Sequence, residues 1–309
     1  MGGTKLGQLR IWCGDVWEAE RIMVKLLESD IIARIRELFP GGGTLDDDCG
    51  VIPEPPSGHR LLVTTDLMEE GQHFKLEWHP PRLLGRKLLV VNLSDLDASG
   101  AIPLGFTLTL ALGRDVDPDW MDGFLQGLAE AAMEFQVPVL GGDTVGRSRG
   151  LGLGITAFGS ARRWLRRDGL QVGDQIYVDQ PLGASLKGLR KLQGGSRWDP
   201  TVPDHELAAH LDPRPHLGLG VRLADIPEVH ACIDLSDGLS KDLRMLAEAS
   251  GLSIVLDPGL TPDEVAGGGG LRPVLRLVPP QEYPGSPTGS LVASGRRGRK
   301  LGRCSTFPL

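Results

Sequence analysis

Five turns in this 309-residue chain carry acidic residues where an apolar or Gly-rich run ends. They read TLDDDCGV, LLVTTDLM, VVNLSDLDASG, LGGDTVG and CIDLSDGL. A single Asp at such a place ordinarily caps the helix that follows it. Five such turns, each with Thr, Ser, Cys or Gly beside the Asp, favour a shared site for divalent cations. Mg²⁺ prefers oxygen ligands and usually takes only one or two carboxylates at a time.

The hydrophobic pattern between these turns predicts alternating strands and helices. Residues 59–67, HRLLVTTDL, read as a buried strand, and Pro81 opens a long helix that carries NLSD. Asp117 is the expected N-cap of the next helix. Residues 229–257 read as strand, turn, helix and strand, with Asp242 expected on the solvated face of that helix. The chain is therefore predicted to have a mixed α/β fold with more than one domain.

Composition excludes several classes of protein. The net charge of −7 argues against a nucleic-acid partner, which would need a basic face. No apolar run approaches the roughly 18 residues that a membrane span requires. The cysteines at positions 13, 49, 232 and 304 are scattered and form no C-x-x-C pair, so we expect a reducing cytoplasm and no disulfide framework.

The way in which phosphate could be held is also constrained. The chain lacks the G-x-x-x-x-G-K-[ST] loop that cradles phosphates through backbone amides and a Lys. Acidic turns repel a nucleotide unless cations lie between the two. The residues alone therefore indicate an enzyme that binds a phosphate substrate through Mg²⁺.

The motifs together resemble those of the thiamine-monophosphate kinase family. DDDCGVI, TTDLMEEGQHF, GRKLLVVNLSDLDASGAIP, GGDT and IDLSDGL occur in the order and spacing of that family, from about Ser29 to about Pro262. The resemblance implies the two-domain fold of aminoimidazole ribonucleotide synthetase, with a homodimer formed through the N-terminal sheet. It also implies direct Mg²⁺-assisted transfer of phosphate from ATP to thiamine monophosphate, giving thiamine diphosphate, with no nucleophilic catalytic residue.

The resemblance assigns roles to individual residues. It implies that several Mg²⁺ ions are bound by Asp48, Thr64, Thr65, Asp66, Asp95, Asp143, Asp234 and Asp237. It implies that ATP is bound by Gly142, Asp143, Arg167 and Ser236, and that the thiamine substrate is contacted by His73. Alternatives stay open: His73 alone reads as a surface-turn residue, GGDT reads as a type II turn, and Arg162, Arg163 and Arg166 lie close to Arg167. Asp46 stands where the family has Gly.

The two ends of the chain depart from the family pattern. We expect an N-terminal extension over residues 1–28, an N-terminal domain over 29–160, an incomplete C-terminal domain over 161–266 and an aberrant tail over 267–309. Where the family has a Gly-Gly-Glu-Asp-Tyr segment, the chain reads AGGGGLRPVLRLVPP. One choice of codons for residues 269–275 encodes Glu-Asp-Tyr-Asp-Leu-Phe in another frame. We therefore hypothesise an out-of-frame tail and an unpaired sheet edge in the truncated C-terminal domain; a genuine disordered tail is the alternative.

Two rival functions follow from the same motifs. Another enzyme of the superfamily is one, although Cys13 lacks the Gly-rich context of selenophosphate synthetase. Cys304 is likewise followed by STFPL, whereas the hydrogenase-maturation protein ends in a reactive Cys. The other is a nucleotide- or Mg²⁺-binding protein without turnover, because part of the C-terminal domain is lost.

Overall fold

The computed structural model describes residues 28–39, 49–180, 182–256, 272–278 and 292–294. The helices are α1 (Glu28–Leu38), α2 (Pro81–Ala98), α3 (Pro118–Glu134), α4 (Ala184–Gln193), α5 (His205–Leu211), α6 (Leu219–Ala224) and α7 (Leu239–Ser250). The strands are β1 (Arg60–Glu69), β2 (Ile102–Gly113), β3 (Val139–Arg147), β4 (Leu151–Ala161), β5 (Gln175–Val178), β6 (Val229–Ala231), β7 (Ser253–Leu256), β8 (Arg272–Val278) and β9 (Val292–Ser294).

The predicted mixed α/β architecture is confirmed. The helix predicted from Pro81 is α2, and Asp117 caps α3 by accepting a hydrogen bond from the Asp119 amide. The first sheet has the strand order β1-β4-β2-β3, in which only β2 and β3 run parallel. Helices α2 and α3 pack on one of its faces, where Phe106, Leu110 and Phe124 are fully buried.

The opposite face of this sheet is not covered by any described element. Leu61, Val63 and Leu67 alternate along β1 on this face and are 47%, 63% and 55% exposed. Ile102 on β2 and Val145 on β3 are also exposed. Several large apolar side chains exposed on one sheet face are typical of an interaction surface.

The second sheet has the strand order β6-β9-β5-β8-β7. Its core includes Ile176 on β5 with Leu243 and Leu246 on α7, so the predicted leucine stripe is buried. The strands that were expected to lack partners because of the truncation are paired among the described residues: β8 lies between β5 and β7, and β9 lies between β6 and β5. The physical reason is that two segments after residue 266, RPVLRLV and VAS, adopt extended strands. Their backbones form hydrogen bonds with the strands of this sheet. Their out-of-frame origin stays a hypothesis.

Helix α2 contacts the helices α5 and α6 at two points. Near its start, the Lys87 ammonium donates a hydrogen bond of 2.7 Å to the His210 carbonyl at the end of α5. At its end, the Asp97 carboxylate accepts hydrogen bonds from the amides of Gly218 and Gly220, at 2.6 and 3.1 Å. A Cβ on Gly220 would lie 1.5 Å from the Asp97 carbonyl oxygen, so the two backbones are in direct contact there.

None of the helices in the described ranges combines the length and apolarity of a membrane-spanning segment.

A buried histidine, His79, lies close to the contact between Lys87 and α5. His79 is 1% exposed, and neither of its ring nitrogens has a hydrogen-bond partner among the described residues. The rings of Phe74 and His210 lie 6.4 and 5.7 Å from it between centroids. Burial, with the charge of Lys87 and the proximity of His210, lowers the pKa of His79 to about 3. The ring is therefore neutral in the folded protein.

We expect His79→Phe to remove part of the acid sensitivity of folding. The unfolded ring binds a proton below pH 6.5, whereas the folded ring does so only near pH 3, so stability falls as the pH decreases between these values. This difference is worth about 2 kcal/mol at pH 5 relative to pH 8. Urea unfolding at both pH values measures it. The matched control is His205→Phe, an exposed position; equal pH slopes for the parent and His79→Phe would contradict the prediction.

Candidate functional site

The first part of the site is formed where β1 passes beneath α2. Side-chain alternation along β1 turns Thr64 and Asp66 toward the helix. The Thr64 hydroxyl donates a hydrogen bond of 2.6 Å to the Asp95 carboxylate. The Asp66 amide donates one of 3.1 Å to the Asn92 side-chain oxygen. The resemblance assigns Thr64 to metal binding. In the structure its hydroxyl orients the Asp95 carboxylate.

The second part comes from the C-terminal sheet, at the end of β6. Burial is the main cause that raises the pKa of Asp234, to about 7, followed by the negative charges of Asp95 and Asp242. Arg167 opposes this shift and Asp66 adds to it. Burial also raises the pKa of Asp66, and the charge of Asp95 raises it further. Carboxylates from both domains therefore lie within electrostatic reach of one another.

These carboxylates have the chemistry of a Mg²⁺ site. They offer hard oxygen ligands, and their mutual repulsion is relieved when a cation lies between them. Within the described ranges, no three acidic, His or Cys side chains are arranged to hold one ion. Each ion would then take one or two carboxylates, with phosphate oxygens and water completing its shell, which is the usual arrangement for Mg²⁺.

The turn before α7 carries the remaining C-terminal candidates. Ser236 and Asp237 are exposed, and Asp237 pairs with Lys241 one helical turn later. The expectation that Asp242 lies on a solvated helix face is wrong, because it is 2% exposed. Its carboxylate accepts a hydrogen bond of 3.3 Å from the Asp237 amide. Asp242 therefore fixes the turn and adds a buried negative charge beside Asp234.

The structure distinguishes Arg167 from its three neighbouring arginines. Arg162 pairs with Asp225, and Arg166 pairs with Asp168. Arg163 donates to three backbone carbonyls at and beyond the end of α6, those of residues 224, 226 and 229. Arg167 instead acts on Asp234, whose pKa it lowers against the effect of burial. The contact of Arg167 with a nucleotide stays a prediction.

Two predicted ligands do not join this cluster. Thr65 faces the other side of the sheet, where its hydroxyl donates to the Ile155 carbonyl at 3.0 Å. Asp143 lies on β3, at the far edge of the sheet from β1, and is paired with Thr109 of β2. Two strands separate β3 from β1, which corresponds to about 14 Å at the usual strand spacing. Asp143 therefore cannot share an ion with Asp66 in this arrangement.

The other candidates are placed as follows. Gly142 has a structural reason for being glycine, because a Cβ there would lie 2.2 Å from the Leu108 carbonyl oxygen. His73 is exposed in the turn after β1, and its Nδ1 accepts a hydrogen bond of 3.0 Å from the Glu69 amide. Asp48 lies outside the described residues. Asn92, which contacts Asp66, was not among the predicted residues.

The family model described as "AIR synthase related protein, N-terminal domain" matches residues 46–161. The thiamine-monophosphate kinase of Leptospira interrogans is 34% identical over 233 residues, which cover 75% of this chain and 73% of that protein.

Two solved structures are similar over most of their length. The crystal structure of thiamine-monophosphate kinase from Stenotrophomonas maltophilia is 35% identical, with a TM-score of 0.63 and 75% of each chain covered. A structure described as AaThiL complexed with AMPPCP and TMP is 26% identical, with a TM-score of 0.61, and the match covers 87% of this chain and 91% of that one.

Proposed function

The chain belongs to the thiamine-monophosphate kinase family, and we propose that it transfers the γ-phosphoryl group of ATP to thiamine monophosphate. The main support is the approach of Asp66 and Asp95 in one domain to Asp234 in the other, since their charges act on one another. That cluster is suited to two phosphate groups held together by cations. A relative whose structure contains AMPPCP and TMP agrees with this pair of substrates.

The proposed chemistry needs no covalent intermediate. The acceptor is a phosphate oxygen, which is already an anion at neutral pH, and phosphoryl transfer depends chiefly on positioning and charge neutralisation. Bound Mg²⁺ supplies that neutralisation. Asp66, Asp95, Asp234 and Asp237 hold the cations in this proposal, and Arg167 contacts the nucleotide phosphates.

Further contacts complete the proposed site. Ser236 lies on the exposed turn before α7, where it can bind the nucleotide. His73 lies on the exposed turn after β1, where its imidazole can contact the thiamine substrate. Asp48 is proposed as an additional Mg²⁺ ligand by family resemblance alone. Localisation in the cytoplasm stays a prediction from the scattered cysteines.

The activity test uses the full chain with ATP and thiamine monophosphate, with and without Mg²⁺. We expect thiamine diphosphate only when all three are present, and none with EDTA. ATP consumption without thiamine monophosphate would favour another enzyme of the superfamily. Binding of a non-hydrolysable ATP analogue without any diphosphate product would favour a binding protein that lacks turnover. The coding DNA around codon 267 tests the out-of-frame hypothesis separately.

We also propose a homodimer formed through the uncovered face of the first sheet. The exposed Leu61, Val63 and Leu67 provide an apolar contact surface. A second copy would also explain Asp143 and Thr65, which point to this face rather than to the carboxylates of their own chain. Gly142 and Asp143 stay proposed ATP and Mg²⁺ contacts by family resemblance alone.

Val63→Glu is expected to separate the dimer, because it places a charge in the middle of the row of exposed apolar side chains along β1. We expect sedimentation equilibrium to give the mass of one chain for this variant and of two chains for the parent. The matched control is Leu186→Glu on α4, a leucine that is also exposed but lies outside this sheet. A parent that sediments as a single chain at micromolar concentration would overturn the dimer proposal.

A further inference from the structure

Asn92 is the single asparagine in the 309-residue chain, and it is fully buried on α2. Asn is common at turns and helix caps, yet this chain uses other residues at every such position. Burying a carboxamide is unfavourable unless its donor and acceptor are both satisfied. The one asparagine of the chain lies at a position where its donor and its acceptor are both used.

Both groups of the side chain have defined partners. Its Nδ2 donates a hydrogen bond of 2.9 Å to the Leu88 carbonyl, one turn earlier on α2. This leaves Oδ1 to accept from the Asp66 amide at 3.1 Å. Among the described strands, β1 pairs only with β4, so it lies at the edge of the sheet. The Asn92 side-chain oxygen therefore accepts the hydrogen bond that a carbonyl of a neighbouring strand would otherwise accept from the Asp66 amide.

A second contact between α2 and β1 lies one helical turn further along α2. Asp95 follows Asn92 by three residues, so the two side chains lie on the same side of α2. Thr64 precedes Asp66 by two residues, so these two lie on the same face of β1. Asn92 contacts Asp66, and Asp95 contacts Thr64. The two contacts together fix β1 against α2 in both position and register.

We propose that Asn92 is a positioning residue that holds the Asp66 carboxylate opposite the Asp95 carboxylate at the separation required for cation binding. Residues that orient metal ligands affect metal affinity although they do not touch the ion. Without the carboxamide, the Asp66 amide has no partner, and β1 can shift relative to α2. The role in catalysis rests on the proposed function, whereas the role in cation binding can be measured without it.

The test uses Asn92→Leu, which keeps the volume, and Asn92→Ala, which avoids overpacking if the first variant does not fold. Binding of Mn²⁺ alone to the full chain is measured by electron paramagnetic resonance. We expect the dissociation constant to rise by about tenfold in both variants. In turnover assays, we expect the Mg²⁺ concentration for half-maximal rate to rise similarly, with little change in KM for thiamine monophosphate.

The control is Gln126→Leu, which removes a carboxamide that bonds to Asp122 on α3, away from the site. It should lower thermal stability without changing Mn²⁺ affinity. If the Asn92 variants also lose stability only, with Mn²⁺ affinity unchanged, the inference is wrong. If the parent binds Mn²⁺ but forms no thiamine diphosphate, the proposed function fails, and the Mn²⁺ comparison still decides the role of Asn92.

Discussion

Asp95→Asn is expected to lower the turnover number by roughly 10³-fold, which is the scale seen when charge stabilisation is removed from phosphoryl transfer. Asp95 is central because it accepts the Thr64 hydroxyl and its charge raises the pKa of both Asp66 and Asp234. The replacement keeps the shape and an oxygen acceptor for Thr64, so the fold should persist. The lost charge is the part that binds cations.

This variant should also be more stable than the parent when EDTA is present, because it removes the repulsion among the three carboxylates. Turnover assays and thermal unfolding with EDTA measure the two effects on the same preparation. Asp225→Asn is the isosteric control, since that carboxylate is exposed and pairs with Arg162 outside the cluster. Near-normal turnover by Asp95→Asn would remove the central ligand from the proposed site.

Cation binding is expected to release protons near neutral pH because Asp234 must lose its proton first. Its pKa is raised to about 7, mainly by burial and then by the charges of Asp95 and Asp242. A raised carboxyl pKa means that the folded protein binds a proton that the unfolded chain does not. The metal-free protein therefore loses stability as the pH rises from about 4 to about 7.

Affinity for Mg²⁺ should consequently weaken by up to about tenfold for each pH unit below 7. Calorimetry at pH 7 in two buffers that differ in ionisation enthalpy gives the number of protons released, which we expect to be about one half. Asp234→Asn should bind Mg²⁺ more weakly, should release fewer protons, and should lose most of its turnover. Equal heats in the two buffers for the parent would contradict the assignment of this pKa.

Much of this arrangement could be predicted from local sequence. Asp117 and the leucine stripe of α7 were sufficient to place α3 and α7, because capping and periodicity depend on nearby residues. The motifs also selected Asp66, Asp95 and Asp234, which the structure brings within electrostatic reach of one another. Their closeness could be expected from the family but not from spacing, because it depends on how two domains meet.

Other features depend on tertiary contacts that no local pattern encodes. Asp242 lies at the border of the leucine stripe, and its burial was decided by the turn at Asp237 folding over it. The distance of Asp143 from Asp66 follows from the strand order, in which β4 and β2 lie between β1 and β3. Asn92 had one usable sequence signal, its uniqueness in the chain, and a count of residue types would have found it.

The two contacts along α2 have an energetic consequence for the carboxylate cluster. Lys87 and Asp97 are ten residues apart, so the contacts with α5 and α6 are separated by about 15 Å along the helix. A domain attached at two such points cannot swing freely about either one. The carboxylates of the two domains are therefore held close together before any cation binds. Part of the free energy of cation binding then comes from relief of their mutual repulsion.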